Sequence, residues 1–418
     1  MELKPGYKQT ELGPIPKVWQ TISLAELSAF ITKGSTPTTY GFKWESGGVL
    51  FLRSECVSES GLDLKESMFI SQAAHAVLRR SEVRDGDILI TITGNVGRAV
   101  RLQDVGVANL NQHIARVRPV ATDIDSKYVY YYVSQSSVRR RFNSITTGQA
   151  YPQISLQQVR DAKVALPPVQ EQRAIATALS DVDALIASLD QLIAKKRDIK
   201  LATMQQLLTG RQRLPGFRGE WAEKTLGELF EITSSKRVFQ SEWRSEGVPF
   251  YRARELAVLG ETGQVENELF ITRELYATHR KSFGVPEIGD MLVTGVGTLG
   301  KVYVVSDDRE FYFKDGNIIW FRCSGKMSAE FLRQLYLTPV LKKQIEEGAA
   351  GTTVGTYTIT AAKRTRIPFP TLDEQGAIAS VLFDMDAEIA ALEQKKKKTR
   401  ALKQGMMQEL LTGRIRLV

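Results

Sequence analysis

Apolar residues recur at alternating steps of four and three along Ile175, Leu179, Val182, Ile186, Leu189 and Ile193. They do so again along Ile378, Leu382, Met385, Ile389 and Leu392. That spacing keeps the apolar stripe on one side of an α-helix and is the seam of a coiled coil. Each stripe follows a proline turn, Pro167-Pro168 or Pro370, where a preceding helix cannot continue. Each closes on Leu-Leu-Thr-Gly-Arg, with Gly210 and Gly413 placed as helix C-caps. The stretches Leu166–Leu214 and Phe369–Leu417 align without a gap, so this pattern is an internal repeat. A helix of about 40 residues is about 60 Å long and needs a partner for its seam. The other copy is the obvious partner, giving an antiparallel pair with approximate two-fold symmetry.

The repeat extends into the segments before each helix. Trp19, Leu24, Glu26 and Leu27 answer Trp221, Leu226, Glu228 and Leu229; Val49, Phe51 and Arg53 answer Val248, Phe250 and Arg252. The run Gly86-Asp87 to Gly97-Arg98 answers Gly289-Asp290 to Gly300-Lys301. Short β-branched and apolar runs predict strands at Val49–Leu52, Ile88–Ile92, Ala99–Leu102, Met291–Val293 and Val302–Val305. One helix is expected near Ser126–Phe142, capped by Ser126 or a nearby Asp, and its counterpart is expected at Ser328–Glu347. A last short strand in each half, Ala162–Leu166 or Arg366–Phe369, leads into the long helix. The expected fold class is α+β: two globular mixed α/β halves joined by two long antiparallel helices, a coiled-coil rod built by pseudo-two-fold tandem duplication. Globular halves are assigned to residues 1–166 and 214–369, helical spacers to 167–213 and 370–418. Between the matching blocks the halves diverge, Gly34–Gly48 from Ser234–Gly247 and Ser54–Ser81 from Ala253–Ser282. Dissimilar loops on one duplicated scaffold suggest the same job done on two targets.

Composition narrows that job. The net charge is +9 and the isoelectric point about 9.3, which favours an anionic partner, nucleic acid being the common one. No apolar run suits a membrane span, and the N-terminus has no apolar signal core, so a cytoplasmic protein with no membrane partner is expected. Two cysteines, Cys56 and Cys323, stand in different halves and support neither a disulfide framework nor a zinc site. His75, His113 and His279 lack ligand spacing, and no nucleophile elbow or paired-histidine metal motif occurs.

Gly295-Val-Gly297-Thr-Leu-Gly300-Lys301 satisfies a dinucleotide-type glycine pattern and matches a P-loop up to its last position, where Val302 replaces Ser or Thr. A strand-like Val-Tyr-Val-Val follows, whereas both nucleotide motifs need a helix N-terminus against the phosphates. The first-half copy has Ile92 in place of Gly295. A tight hairpin turn is the expected structure, with Gly94, Gly97, Gly297 and Gly300 at positive φ. Beside it stands a weaker reading in which turn amides, with Arg98 or Lys301, hold a DNA phosphate. Asp87 and Asp290 follow glycine at strand starts and read as turn residues. Arg139–Arg141 and Lys342-Lys343 close helices, where they complement the dipole or meet phosphate. Lys195–Arg197 and Lys395–Lys398 read first as a solvated coiled-coil face. No catalytic residues emerge.

With the repeats, Gln170-Glu171-Gln172 and Asp373-Glu374-Gln375 after the prolines, the two Leu-Leu-Thr-Gly-Arg endings, the opening Leu12–Trp19 and the Gly-Asp strand-turns, the chain resembles the specificity subunit of type I restriction–modification systems. The likeness covers essentially the whole chain. The second copy departs from it by lacking the double proline. The resemblance implies two target recognition domains, each reading half of a bipartite gapped site in double-stranded DNA, with the helices setting the gap. It implies two methyltransferase subunits as partners, bringing S-adenosylmethionine for N6-adenine methylation. It also implies restriction (motor–nuclease) subunits using ATP and magnesium. The chain itself would bind no cofactor or metal and catalyse nothing.

Candidates for DNA contact are then Thr36, Lys43, Ser54, Glu55 and Tyr151 in the first half and Arg237, Arg254, Glu255 and Thr353 in the second. Gln149 and Gln153 join them, because amide, guanidinium and acidic side chains read base edges. Arg53 and Arg252 recur in both halves, which suits phosphate contact or an internal ion pair better than sequence reading. Competing readings are a DNA-binding subunit of a related or orphan methyltransferase system and a decoy that sequesters methyltransferase. Two further classes are a nucleotide-dependent enzyme built on the glycine turn and a structural coiled-coil adaptor.

Overall fold

A computed structural model describes residues 4–59, 61–120, 122–148, 150–266, 269–350 and 355–417. The chain packs as two units, Met1–Asp190 with Gln394–Val418 and Gln191–Glu393. Each unit therefore owns part of both long helices, the central helix (Val169–Leu207) and the C-terminal helix (Leu372–Leu410).

In the first unit an antiparallel sheet runs in the order Ala99–Arg101, Ile88–Thr91, Ile114–Pro119, Ser28–Lys33. In the second unit the order is the same, Val302–Val304, Met291–Thr294, Ile318–Arg322, Glu231–Thr233. The strand Ile88–Thr91 is buried on both faces, which accounts for its unbroken apolar run. Alternate side chains leave a strand on opposite sides: Ile88 and Ile90 join the core that faces the long helices, while Leu89 joins a second core. Met291 and Val293 part from Leu292 in the same way. The second core lies against a further sheet containing one parallel pair, Val49–Leu52 with Ala108–Leu110, or Val248–Tyr251 with Tyr312–Phe313.

The single helix expected in each half is two. Ser126–Val133 is followed by Ser136–Ser144, and Ala329–Tyr336 by Pro339–Ala349. Pro339 occupies the first turn of its helix, and Thr338 caps Leu341 N through its hydroxyl. A proline there cannot continue the preceding helix. Asp125, not Ser126, is the N-cap of the first of these helices, accepting from Tyr128 N at 2.9 Å.

Two-stranded ribbons, Gln20–Ser23 with Lys163–Leu166 and Ala222–Thr225 with Arg366–Phe369, lead the chain into the long helices. The anticipated seam residues do two jobs. Ile175 and Leu179, with Ile378 and Leu382, are fully buried because they complete the globular cores. Leu189 is also buried, whereas Val182, Ile186, Met385, Ile389 and Leu392 are half-buried, and Met385 still packs against the second globular core. Ion pairs set the register in each unit. In the first, Glu171, Asp183 and Asp190 pair with Arg416, Lys403 and Lys396. In the second, Lys196, Lys200 and Arg213 pair with Glu388, Asp386 and Glu374. One number falls as the other rises, so the helices are antiparallel within each unit. The lysine runs that interrupt the seam are thus partly spent on cross-helix pairs.

The repeated Glu-Gln dipeptide fixes where the helices begin. Glu171 has no exposed surface, accepts from Trp19 Nε1 at 2.9 Å, and is held by Nε and one terminal nitrogen of Arg416, the latter at 2.7 Å. Glu374 repeats the arrangement with Trp221 (3.0 Å) and Arg213 (2.5 Å). Gln172 donates to Pro167 O at 2.8 Å and accepts from Asp125 N at 2.9 Å; Gln375 does so with Pro370 O and Ser328 N. Gly210 and Gly413 take φ of 68° and 70° as expected of C-caps, and a Cβ on Gly413 would lie 2.5 Å from Pro16. Tyr7 Oη closes the first unit by donating to Gly413 O at 2.7 Å.

Truncating Arg416 to alanine strands a buried carboxylate, so Arg416→Ala is expected to cost about 3 kcal/mol, read from the urea midpoint. Arg414→Ala removes only an exposed pair with Glu409 and should cost no more than about 0.5 kcal/mol. Equal losses from the two variants would rule out the buried lock.

Candidate nucleic-acid interface

In each unit the loops of the two sheets meet beside the glycine hairpin. In the first, Gly34 N donates to Asn111 O (3.0 Å), Ile92 N to His113 O (2.9 Å) and Gly94 N to Pro152 O (2.8 Å). Thr36 Oγ1 donates to Gln112 Oε1 at 2.6 Å. In the second, Ser234 Oγ donates to Ile318 O, Ser235 Oγ to Phe313 O, and Gly295 N to Asn317 O. Tyr357 N returns to Gly295 O at 2.9 Å. Four chain segments distant in sequence therefore converge on one rim of each unit, and the starts of the divergent first loops, Gly34–Thr36 and Ser234–Arg237, lie there.

The glycine motif is a hairpin turn, as its sequence suggested. Gly94, Gly97, Gly297 and Gly300 have φ of 74°, 81°, 79° and 72°, and a strand rather than a helix follows Lys301. Thr91 Oγ1 accepts from Arg98 N, and Thr294 Oγ1 from Lys301 N, both at 3.0 Å. The turn amides are thereby partly spent inside the turn. Gly97 and Gly300 also admit close packing, since a Cβ would meet Arg139 Cγ at 3.2 Å and Ile345 Cδ1 at 3.0 Å. Asp87 accepts from Arg84 N and pairs with Arg118 at 2.7 Å. Asp290 accepts from Glu287 N and from the Trp320 indole at 2.7 Å. Both aspartates tie a turn to its sheet.

The rim gathers Thr36, Tyr151 and Gln153 from the first-half candidates and Arg237 from the second. Tyr151 is 76% exposed, and Gln153 pairs with Thr147 through its backbone. Gln149 and Thr353 lie outside the described residues. Lys43 and Arg254 are exposed. The remaining candidates have partners within the protein. Arg53 donates to Glu66 O at 2.9 Å, and Ser54 Oγ to Glu55 at 3.1 Å. Arg252 grips Glu255 through Nε and a terminal nitrogen, at 3.0 and 2.7 Å. Glu255 is buried, and its carboxyl is held below the usual carboxylate range by Arg252 against the opposing effect of burial. Lys301 pairs with Glu261. Arg98 sits 4.0 Å from Glu59, which Arg139 also reaches at 2.7 Å.

Sequence reasoning passed over Gln112, Asp315 and Asn317, and gave His113 only an ordinary surface or core role. They occupy short links between strands, where nothing in residue type or spacing distinguishes a rim position from an ordinary turn. His279, expected from the sequence to take an ordinary surface or core role, is buried and supports the second rim from behind. Its ring stacks on Tyr312 at 5.0 Å between centroids, and Tyr312 Oη accepts from Lys236 N at 2.9 Å.

Two stretches of the chain, residues 16–195 and 218–400, match the family model for the type I restriction modification DNA specificity domain. A putative type I restriction enzyme MjaX specificity subunit from Methanocaldococcus jannaschii is 25% identical, over 99% of this chain and 97% of that protein. The MjaVIII specificity subunit from the same organism is 23% identical over 99% and 96%. Among solved structures, the type I restriction–modification S subunit from M. genitalium covers 98% of both chains, with a TM-score of 0.57 at 16% identity. The HsdS subunit from Thermoanaerobacter tengcongensis matches with a TM-score of 0.51 at 17% identity. These last two speak to the fold alone. No helix among the described residues is long and apolar enough to cross a membrane.

Burial, outweighing the nearby Glu242, lowers the His279 pKa below its ordinary 6.5, and Lys236 adds to the shift. The unfolded chain then takes up the proton more readily than the folded one. The stability associated with His279 is whole above about pH 6.5 and declines as pH falls toward the folded pKa. His279→Phe should flatten this fall in a pH series of urea midpoints; an unchanged slope would locate the titration elsewhere.

Proposed function

The chain belongs to the type I restriction–modification DNA specificity family, and from that premise we propose that it directs partner subunits to one bipartite, gapped DNA sequence. Each globular half reads one half-site. The long helices hold the two readings a fixed number of base pairs apart and offer docking faces to two methyltransferase subunits. Restriction subunits join that assembly. The methyl donor S-adenosylmethionine, and the ATP and magnesium of DNA cleavage, belong to those partners; this chain binds none of them and is not an enzyme. Its work on chromosomal and incoming DNA places it in the cytoplasm.

The observation that carries this reading is the rim. Two units with the same strand order and the same hairpin present different side chains at corresponding loop positions. A scaffold that keeps its hydrogen bonds while changing what it exposes suits two readers of different sequences. The basic balance of the chain supports a polyanion as the thing read. Phosphate contacts supply affinity without sequence information, so specificity falls to the changed side chains.

A map of N6-methyladenine in the source organism, with and without the gene, tests the role. Deletion is expected to abolish methylation at one asymmetric gapped motif and leave other motifs intact. An unchanged map would overturn the proposal. The spacing role has its own test. Four residues inserted after Leu189, matched by four after Lys396 on the facing helix, add about 6 Å. The gap should lengthen by about one or two base pairs, at about 3.4 Å each, with both half-sites unaltered. An unchanged gap, or loss of one half-site alone, would refute a ruler.

A further inference from the structure

The strand registers identify which rim positions correspond. Ile31 pairs with Val117 and Ile232 with Phe321, and these partners occupy matching places beside Ile88 and Met291. Thr36 lies five residues beyond Ile31, and Arg237 five beyond Ile232. Likewise Asn109 pairs with Phe51 and Tyr312 with Phe250; Gln112 lies three residues beyond the first and Asp315 three beyond the second. The two units therefore make the same cross-loop contact with different chemistry. In the first unit it is a neutral hydrogen bond, Thr36 Oγ1 to Gln112 Oε1 at 2.6 Å. In the second it is an ion pair, Arg237 Nε to Asp315 Oδ2 at 2.9 Å.

We infer that this contact is a matched pair of base readers, Gln112 oriented by Thr36 toward adenine in one half-site and Arg237 oriented by Asp315 toward guanine in the other. The inference rests on the DNA-specificity reading above and adds the residues and the bases. A glutamine amide has two acceptor sites and two N–H donors. Gln112 uses one of each, with Thr36 and with the His113 ring nitrogen at 3.0 Å. Turning the amide over exchanges the two partners and leaves the same remainder, one acceptor and one donor. That remainder is what the N6 amino group and N7 of adenine require in the major groove.

An arginine has five donors in a rigid fork. Arg237 gives its Nε–H to Asp315 and, among the described residues, has no other partner. The two terminal nitrogens stay free, and they match guanine O6 and N7. Arg237 is 66% exposed while Asp315 is only 15% exposed, so the carboxylate is a fixed post and the guanidinium the presented group. The Arg237 backbone is steadied next door, where Ser235 Oγ donates to Phe313 O at 2.7 Å and Lys236 N to Tyr312 Oη at 2.9 Å.

The test maps N6-methyladenine motifs in strains carrying the full complex with the wild-type gene, no gene, or single variants. Gln112→Ala should relax one A·T position in one half-site, raising methylation of sites altered there roughly ten- to a hundredfold, with the other half-site unchanged. Arg237→Ala should relax one G·C position in the other half-site. Asp315→Asn should relax that same position less, as a positioning residue would. Gln112→Glu keeps the side-chain volume but offers only acceptors, so its preference should move from adenine toward cytosine. Retained stringency in both alanine variants, with the motif lost on gene deletion, would overturn the reader pair while leaving the specificity role standing. So would loss of both half-sites in the alanine variants, or unchanged adenine preference in Gln112→Glu. A motif that survives deletion would remove the foundation of both.

Discussion

Two buried carboxylates hold this protein together. Glu171 and Glu374 each start a long helix, and each is enclosed by a tryptophan from an early strand-turn and an arginine from beyond the end of the opposite helix. Removing a charge from water is costly unless it is paired and hydrogen-bonded, so the three groups are needed together. The requirement ties helix start, helix end and globular half into one geometry. In the first unit it joins the last residues of the chain to its opening residues, with Tyr7 on Gly413 completing the closure. The neighbouring glutamines, Gln172 and Gln375, satisfy a carbonyl and an amide of the entering turn, which sets where each helix begins.

From those anchors each unit builds outward through one strand. Ile88–Thr91 and Met291–Thr294 send alternate side chains into two cores, one against the helices and one against the sheet that carries the variable loops. A displacement of such a strand would disturb both cores at once, since close-packed interiors transmit strain. The rim is thus held rigidly by apolar packing while its own side chains remain free to differ. Thr36 with Gln112 and Arg237 with Asp315 show the division: the backbone positions match and the chemistry does not.

Parts of the candidate site were legible in residue order and parts were not. The hairpin nature of the glycine motif followed from the strand-like residues after it and from the matching copy with Ile92. Thr36 and Arg237 stood out because they lie in loops that differ between the repeats. Gln112 and Asp315 did not, because their role comes from a neighbour more than seventy residues away in the chain, and local pattern carries no trace of such a contact. For Arg252 and Glu255, candidates three residues apart in sequence, folding brings a bidentate pair with each other. The helix break at Pro339 was written in the sequence, yet the periodicity on either side masks it; in the structure Thr338 caps a second helix.

The sequence by itself determined the duplication, the long helices with their proline starts and glycine ends, and most of the central strands. Those features depend on local periodicity and on residues whose backbone preferences are strong. Tertiary structure alone decided the partners of the buried glutamates, the division of the seam into fully and half-covered residues, and the meeting of separate loops at one rim. These are contacts between distant segments, and a side chain in isolation does not specify which of many compatible partners folding will bring to it.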